Sequence, residues 1–151
     1  MARPVADRAV LDTNVLLAAT DQARREHEQA VASINVWPAS GLVLYTSGQI
    51  LREYLAVATR PVEVNGLGMA RSDAIANVRA LRARLHLLAE DGKVGDRLLE
   101  LLERVECTGK RVHDANVVAT MLVHGIDTVV TMNVHDFTKF GDHIQVADLR
   151  P

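Results

Sequence analysis

The chain has 151 residues, 48% of them hydrophobic, and a formal net charge of −2, enough for one substantial core and read here as a single domain over residues 1–151. Cys107 is the only cysteine, which excludes an intramolecular disulfide and a zinc site built on Cys clusters, and a reducing cytoplasm is the expected compartment. No apolar run reaches the roughly 18–20 residues of a membrane span, no signal-peptide pattern opens the chain, and the charge balance gives nucleic acid no global attraction, so no membrane contact is expected and any RNA contact needs a local basic patch.

Arg8–Asp12 reads as a buried strand and Thr13–Ala19 as the helix that follows. Asp12 thus stands at the carboxyl end of a strand, where open α/β sheets build ligand sites, although a lone Asp there could simply cap the next helix. Glu26–Asn35 reads as a second helix, and Trp37-Pro38-Ala39-Ser40-Gly41 as turn chemistry with Trp37 as a packed anchor. Leu42–Tyr45 is a strand, after which Thr46-Ser47-Gly48 hands over to a helix over Gln49–Thr59. Arg60–Gly68, with Pro61, Gly66 and Gly68, is a loop. There follow a helix from Ser72 to Arg84, a strand over Leu85–Leu88, a turn at Asp91-Gly92 and a helix over Gly95–Glu106. The last elements are a helix over His113–His124, a strand over Thr128–Thr131 and a short strand over Ile144–Val146. Strands alternating with helices of this length imply an α/β fold, a three-layer α/β/α sandwich around a parallel sheet of four to five strands. No repeat, low-complexity tract or linker interrupts it.

The acidic residues fall at places this fold would bring together. Asp114, Val117, Val118, Met121 and Leu122 follow i, i+3, i+4, i+7, i+8, which puts Asp114 at the top of the stripe facing the sheet; an Asp in a first turn could also merely suit the helix dipole. Glu53 flanks the apolar stripe of Ile50, Leu51, Tyr54, Leu55 and Ala58, within reach of the sheet edge or of solvent. A β-branched strand ends at Thr131 and is followed by Asn133 and Asp136. Parallel strands end on one edge and the helices after them begin there, so these groups share a face with Asp12. Carboxylates in one pocket repel one another unless a cation joins them, and no Lys or Arg is evident among these motifs to balance Asp12 and Asp114. Oxygen-only donors suit Mg²⁺ or Mn²⁺, and the chemistry that needs such a cluster is metal-assisted phosphodiester hydrolysis.

At these residues the chain resembles the PIN-domain family, specifically the VapC-type toxins of prokaryotic toxin–antitoxin pairs. Val10-Leu11-Asp12-Thr13-Asn14-Val15-Leu16 is similar to the opening motif, Ser47 through Tyr54 to the Ser…Glu helix, His113-Asp114-Ala115 to the central acid and Thr131 through Phe137 to the closing motif. Arg60-Pro61 after the Glu53 helix is also typical, and the likeness runs from about Arg8 to Val146. The family's closing motif often places an acid two residues after the Thr, where this chain has Asn133. Either Asn133 or Asp136 could face the metal.

The resemblance implies a Mg²⁺- or Mn²⁺-dependent endoribonuclease acting as the toxin of such a pair. Asp12 and Asp114 would be its principal metal ligands, with Glu53 and Asp136 completing the catalytic cluster. Thr13, Asn14 and Asn133 would support it, and Arg52 and Arg60 would hold RNA phosphates. His113 and His135, each next to or just before a site Asp, read as rim residues. The implied partners are RNA, a cognate antitoxin able to place an Arg or Lys among the carboxylates, and a second copy in a homodimer. Two other classes fit less well: a non-catalytic PIN-type binding module, which would be expected to lack some of the acids, and a phosphohydrolase of the haloacid-dehalogenase kind, which wants a second Asp where this chain has Asn14.

Overall fold

The computed structural model describes residues 3–150. Its strands are β1 (Arg8–Leu11), β2 (Val43–Ser47), β3 (His86–Leu88), β4 (Thr128–Thr131) and β5 (Gln145–Asp148). They form one five-stranded sheet in the order β3-β2-β1-β4-β5, every pair parallel. The helices are α1 (Thr13–Thr20), α2 (His27–Asn35), α3 (Gly48–Thr59), α4 (Arg71–Arg84), α5 (Gly92–Arg104), α6 (Arg111–Val123) and α7 (Val134–Phe137). From β1 the chain steps outward through β2 to β3, and α1 to α4 fill those crossovers. It then returns past β1 to β4 by way of α5 and α6. Right-handed crossovers taken in opposite directions put the two helix groups on opposite faces, which gives the three layers expected. Within the layers α1 packs on α2 and α3, α3 on α4, and α5 on α6.

Because both faces are covered, the central strands are apolar without alternation: Ala9, Val10, Leu11, Val129 and Val130 are all buried. Val15 and Leu16 of α1, Ile50 and Tyr54 of α3, and Val118 and Met121 of α6 close over them. Tyr54 can lie fully buried because its hydroxyl meets that of Thr20 at 2.7 Å and accepts from Asn77 at 3.1 Å. Trp37 is buried, the packed anchor its turn context implied.

Several boundaries differ from the sequence reading, each for a local reason. Ser47 ends β2 and caps α3, its Oγ accepting from the Ile50 N–H at 3.3 Å. α5 begins at Gly92 because the Asp91 carboxylate takes the Lys93 N–H at 3.1 Å. α6 begins at Arg111 rather than His113, and β5 spans Gln145–Asp148. α7 and a 3₁₀ turn over Thr138–Phe140 fold the closing segment, too short for any periodicity to announce. Among the described residues, no helix is long and apolar enough to cross a membrane.

The strand order fixes where a ligand can bind. β2 lies on one side of β1 and β4 on the other, so a crevice opens between the carboxyl ends of β1 and β4. Asp12 stands in it, its backbone N–H donating to the Val130 carbonyl at 2.9 Å.

Candidate active site

Asp12 leaves β1 with the extended backbone of a helix N-cap (φ −69°, ψ 159°), and its Oδ1 accepts from the Thr13 N–H at 2.8 Å. Capping α1 and facing the crevice are therefore one role, not competing ones. Oδ2 accepts from the Thr131 hydroxyl at 2.8 Å and from the Asn14 amide at 3.2 Å. Thr131 Oγ1 in turn accepts from Asn14 Nδ2 and from the Asn133 backbone N–H, each at 3.0 Å. Asn14 Oδ1 accepts from the Met132 N–H at 3.1 Å. These bonds fasten the end of β1 to the end of β4. Burial outweighs the donors and raises the Asp12 carboxyl above its ordinary value of 3.8, with Glu53 and Asp136 adding repulsion.

Glu53, on α3, is held at both oxygens: Oε2 accepts from the Thr13 hydroxyl and Oε1 from the Gln49 amide, each at 2.8 Å. Asp114 lies in the first turn of α6. Burial, followed by the charges of Asp136 and Asp12, pushes its carboxyl up to about 6. Asp136, on α7, pairs with the Arg111 guanidinium, which also stands 3.8 Å from the Asp114 carboxylate. Asp12 thus feels the charge of Glu53 and Asp136, and Asp114 that of Asp136, Asp12 and Glu53.

Arg111 corrects one expectation. The acidic cluster does have a side-chain cation of its own, in the first turn that α6 gains by starting early. The i, i+3 spacing to Asp114 was the signal available in the sequence. Asn133 is exposed ahead of α7, and it is Asp136 that lines the adjoining cavity.

That cavity has a volume of about 720 Å³. Thr13, Glu53, Asp114, Asp136 and His113 line it, and so do the basic residues Arg52, Arg60, Lys110 and Arg111. Arg52 and Arg60, expected from the sequence to hold RNA phosphates, thus line the same cavity as the carboxylates, together with Lys110 and Arg111. His135 is exposed and does not line this cavity. A second cavity of about 310 Å³, between α1, α2 and α4, has no carboxylate in its lining.

Among the described residues, no three carboxylate, His or Cys side chains stand at the spacing of a closed metal shell. The donor set fits a hard cation held by one or two carboxylates and completed by water, the ordinary binding mode of Mg²⁺. Two carboxyls raised by burial and mutual repulsion also mark a place that favours added positive charge.

Comparison with known proteins shows the family. The PIN domain family model matches residues 9–142. Ribonuclease VapC24 of Mycobacterium tuberculosis is 31% identical over 137 residues, covering 87% of this chain and 90% of its own. Among solved structures, VapBC2 from Rickettsia felis, bound to a DNA fragment from its promoter, has a TM-score of 0.71 at 15% identity, covering 93% of this chain and 98% of that one. Mycobacterium tuberculosis VapC20, described as a sarcin-ricin loop cleaving toxin, has a TM-score of 0.61 at 18% identity, with 91% and 96% covered. The chain belongs to the PIN-domain family, in the VapC ribonuclease group of toxin–antitoxin systems.

Proposed function

We propose that this chain is a Mg²⁺- or Mn²⁺-dependent endoribonuclease, active in the cytoplasm as the toxin of a pair and held in check by a cognate antitoxin. The observation that carries the reading is the meeting of Asp12 and Asp114, both with raised carboxyls, at the switch point of the sheet beside a cavity that Arg52, Arg60, Lys110 and Arg111 help to line. Asp12 and Asp114 hold the cation. When bound, such a cation supplies Lewis acidity to the phosphate and a water of lowered pKa. Thr131, Asn14 and Thr13 orient the Asp12 carboxylate. Thr13 also turns Glu53 toward Asp12, and Glu53 serves as an oriented acceptor. Arg111 offsets Asp136 and meets phosphate charge, while Arg52, Arg60 and Lys110 hold flanking phosphates.

The phosphohydrolase alternative has no support in this geometry. That chemistry wants a second Asp at position 14, where the Asn14 amide is instead committed to Asp12, Thr131 and Met132. A binding module remains the reading to test against. Purified protein is incubated with transfer, ribosomal and messenger RNA in EDTA, Mg²⁺ or Mn²⁺, beside Asp12→Ala. Cleavage that needs the metal and Asp12 supports the proposal. Robust cleavage in EDTA overturns the metal dependence, and RNA binding without cleavage under any condition favours the binding module.

A further inference from the structure

Gln49 is buried, 5% exposed, in the first turn of α3. A buried carboxamide is costly unless its donors and acceptor are paired. Here Nε2 donates both to Glu53 Oε1 and to the His113 carbonyl, each at 2.8 Å. Oε1 accepts from Asn116 Nδ2 at 2.6 Å. The Gln49 backbone is fixed as well, its N–H donating to Glu90 Oε1 at 2.9 Å, so the side chain starts from a set position. Two of its three partners, His113 and Asn116, bracket Asp114 along α6, and the third is Glu53 itself. α3 and α6 belong to opposite layers that meet at the sheet edge, and Gln49 spans that meeting. A Leu would fill the same space without needing three partners.

We propose that Gln49 is a positioning residue of the nuclease site, its carboxamide fixing the distance and orientation of Glu53 relative to Asp114. The inference rests on the nuclease reading above. Glu53's other oxygen is held by Thr13, the residue after Asp12, so the bridge links the two principal carboxylates through Glu53. This polar continuity sets the shape of the pocket before any cation or RNA enters, and it explains why an amide occupies a position that packing alone would give to an apolar side chain.

The test compares Gln49→Leu, Asn116→Leu and the double variant with the wild type, measuring melting in EDTA, Mn²⁺ affinity by calorimetry, and kcat and KM on a cleaved RNA. Gln49→Leu is expected to lower the melting temperature, weaken Mn²⁺ binding several-fold and lower kcat about 10- to 100-fold with KM little changed, the scale of losses for groups supporting metal ligands. Replacing both partners by apolar groups removes the unpaired amide, so the double variant recovers part of its stability. Its kcat and Mn²⁺ affinity stay low. Recovery of activity together with stability would reduce Gln49 to a packing element and overturn the proposal, as would a single variant with wild-type kcat and Mn²⁺ affinity. If Gln49→Leu does not fold, Asn116→Ala, which frees only Gln49 Oε1, is expected to shift kcat and affinity in the same direction by about threefold; no shift overturns the proposal. A wild type that neither binds Mn²⁺ nor cuts RNA overturns the nuclease reading and this assignment with it, whereas an active wild type with unaffected variants overturns this assignment alone.

Discussion

Thr131 donates its hydroxyl to Oδ2 of Asp12 at 2.8 Å across 119 residues of sequence. The Thr131 hydroxyl oxygen itself accepts from the Asn14 amide and the Asn133 N–H, so one buried hydroxyl joins the first and last motifs of the site. Thr131→Val keeps the shape and the strand preference but removes the acceptor of the Asn14 amide and the Asn133 N–H and one of the three donors to Asp12. The expected cost is about 1–3 kcal/mol of stability, with cleavage reduced roughly tenfold. Thermal melting in metal-free buffer checks it, and an unchanged midpoint would show that the bond contributes nothing.

Asp114 gives the fold a pH dependence of defined sign. Its carboxyl lies near 6 in the folded chain against an ordinary 3.8, first because it is buried and then because Asp136 and Asp12 repel it. The folded state therefore binds this proton more tightly than the unfolded state. The stability it contributes is complete below about pH 3.8 and is lost as pH rises through 6. Without metal, melting temperature is expected to fall as pH rises from about 3.8 through about 6, with Asp12 adding to the same trend. Asp114→Asn removes its share: the variant should be inactive yet more stable than the wild type at about pH 7.5, by about 1 kcal/mol, with the difference shrinking toward zero as pH falls to about 3.8. Melting curves across that range in EDTA decide, and an unaltered slope in the variant would discard Asp114 as its source.

Arg111 is the cluster's own positive charge, with its side chain still 42% exposed to the cavity side. Arg111→Gln leaves Asp136 and Asp114 uncompensated. The pocket becomes more negative, so Mn²⁺ is expected to bind several-fold more tightly at low ionic strength while KM for RNA rises. Calorimetry with Mn²⁺ measures the first and steady-state cleavage the second. Weaker Mn²⁺ binding would show that Arg111 organises the carboxylates rather than competing with the cation.

Arg52 and Arg60 line the cavity, and Arg52 has a distant ion pair with Glu90 at 3.9 Å. Their substitution by Ala is expected to raise KM with kcat nearly unchanged. Each should also lower the slope of log affinity against log salt by about one, the mark of a lost phosphate contact. Binding of an inactive Asp12→Ala background to RNA over a salt series checks this, and a slope unchanged in both would remove them from the RNA path.

The sequence by itself determined the features set by local physics. Period-3.6 apolar spacing placed Asp114 on the sheet side of its helix, an apolar run ending in a carboxylate placed Asp12 at a strand end, and a β-branched run placed Thr131 at another. Alternation of the two periods required a parallel sheet covered on both faces. Tertiary structure alone decided which strands are neighbours. The order β3-β2-β1-β4-β5 brings Thr131 to Asp12, and no window of sequence contains that pairing. It also decided that α6 starts at Arg111, that Arg111 meets Asp136, and that Gln49 reaches both Glu53 and α6. The choice of Asp136 over Asn133 as the cavity-lining residue follows from α7, a single short turn whose direction comes from what it packs against. Periodicity reports which face of an element is buried; which side chains meet across elements depends on packing the whole chain at once.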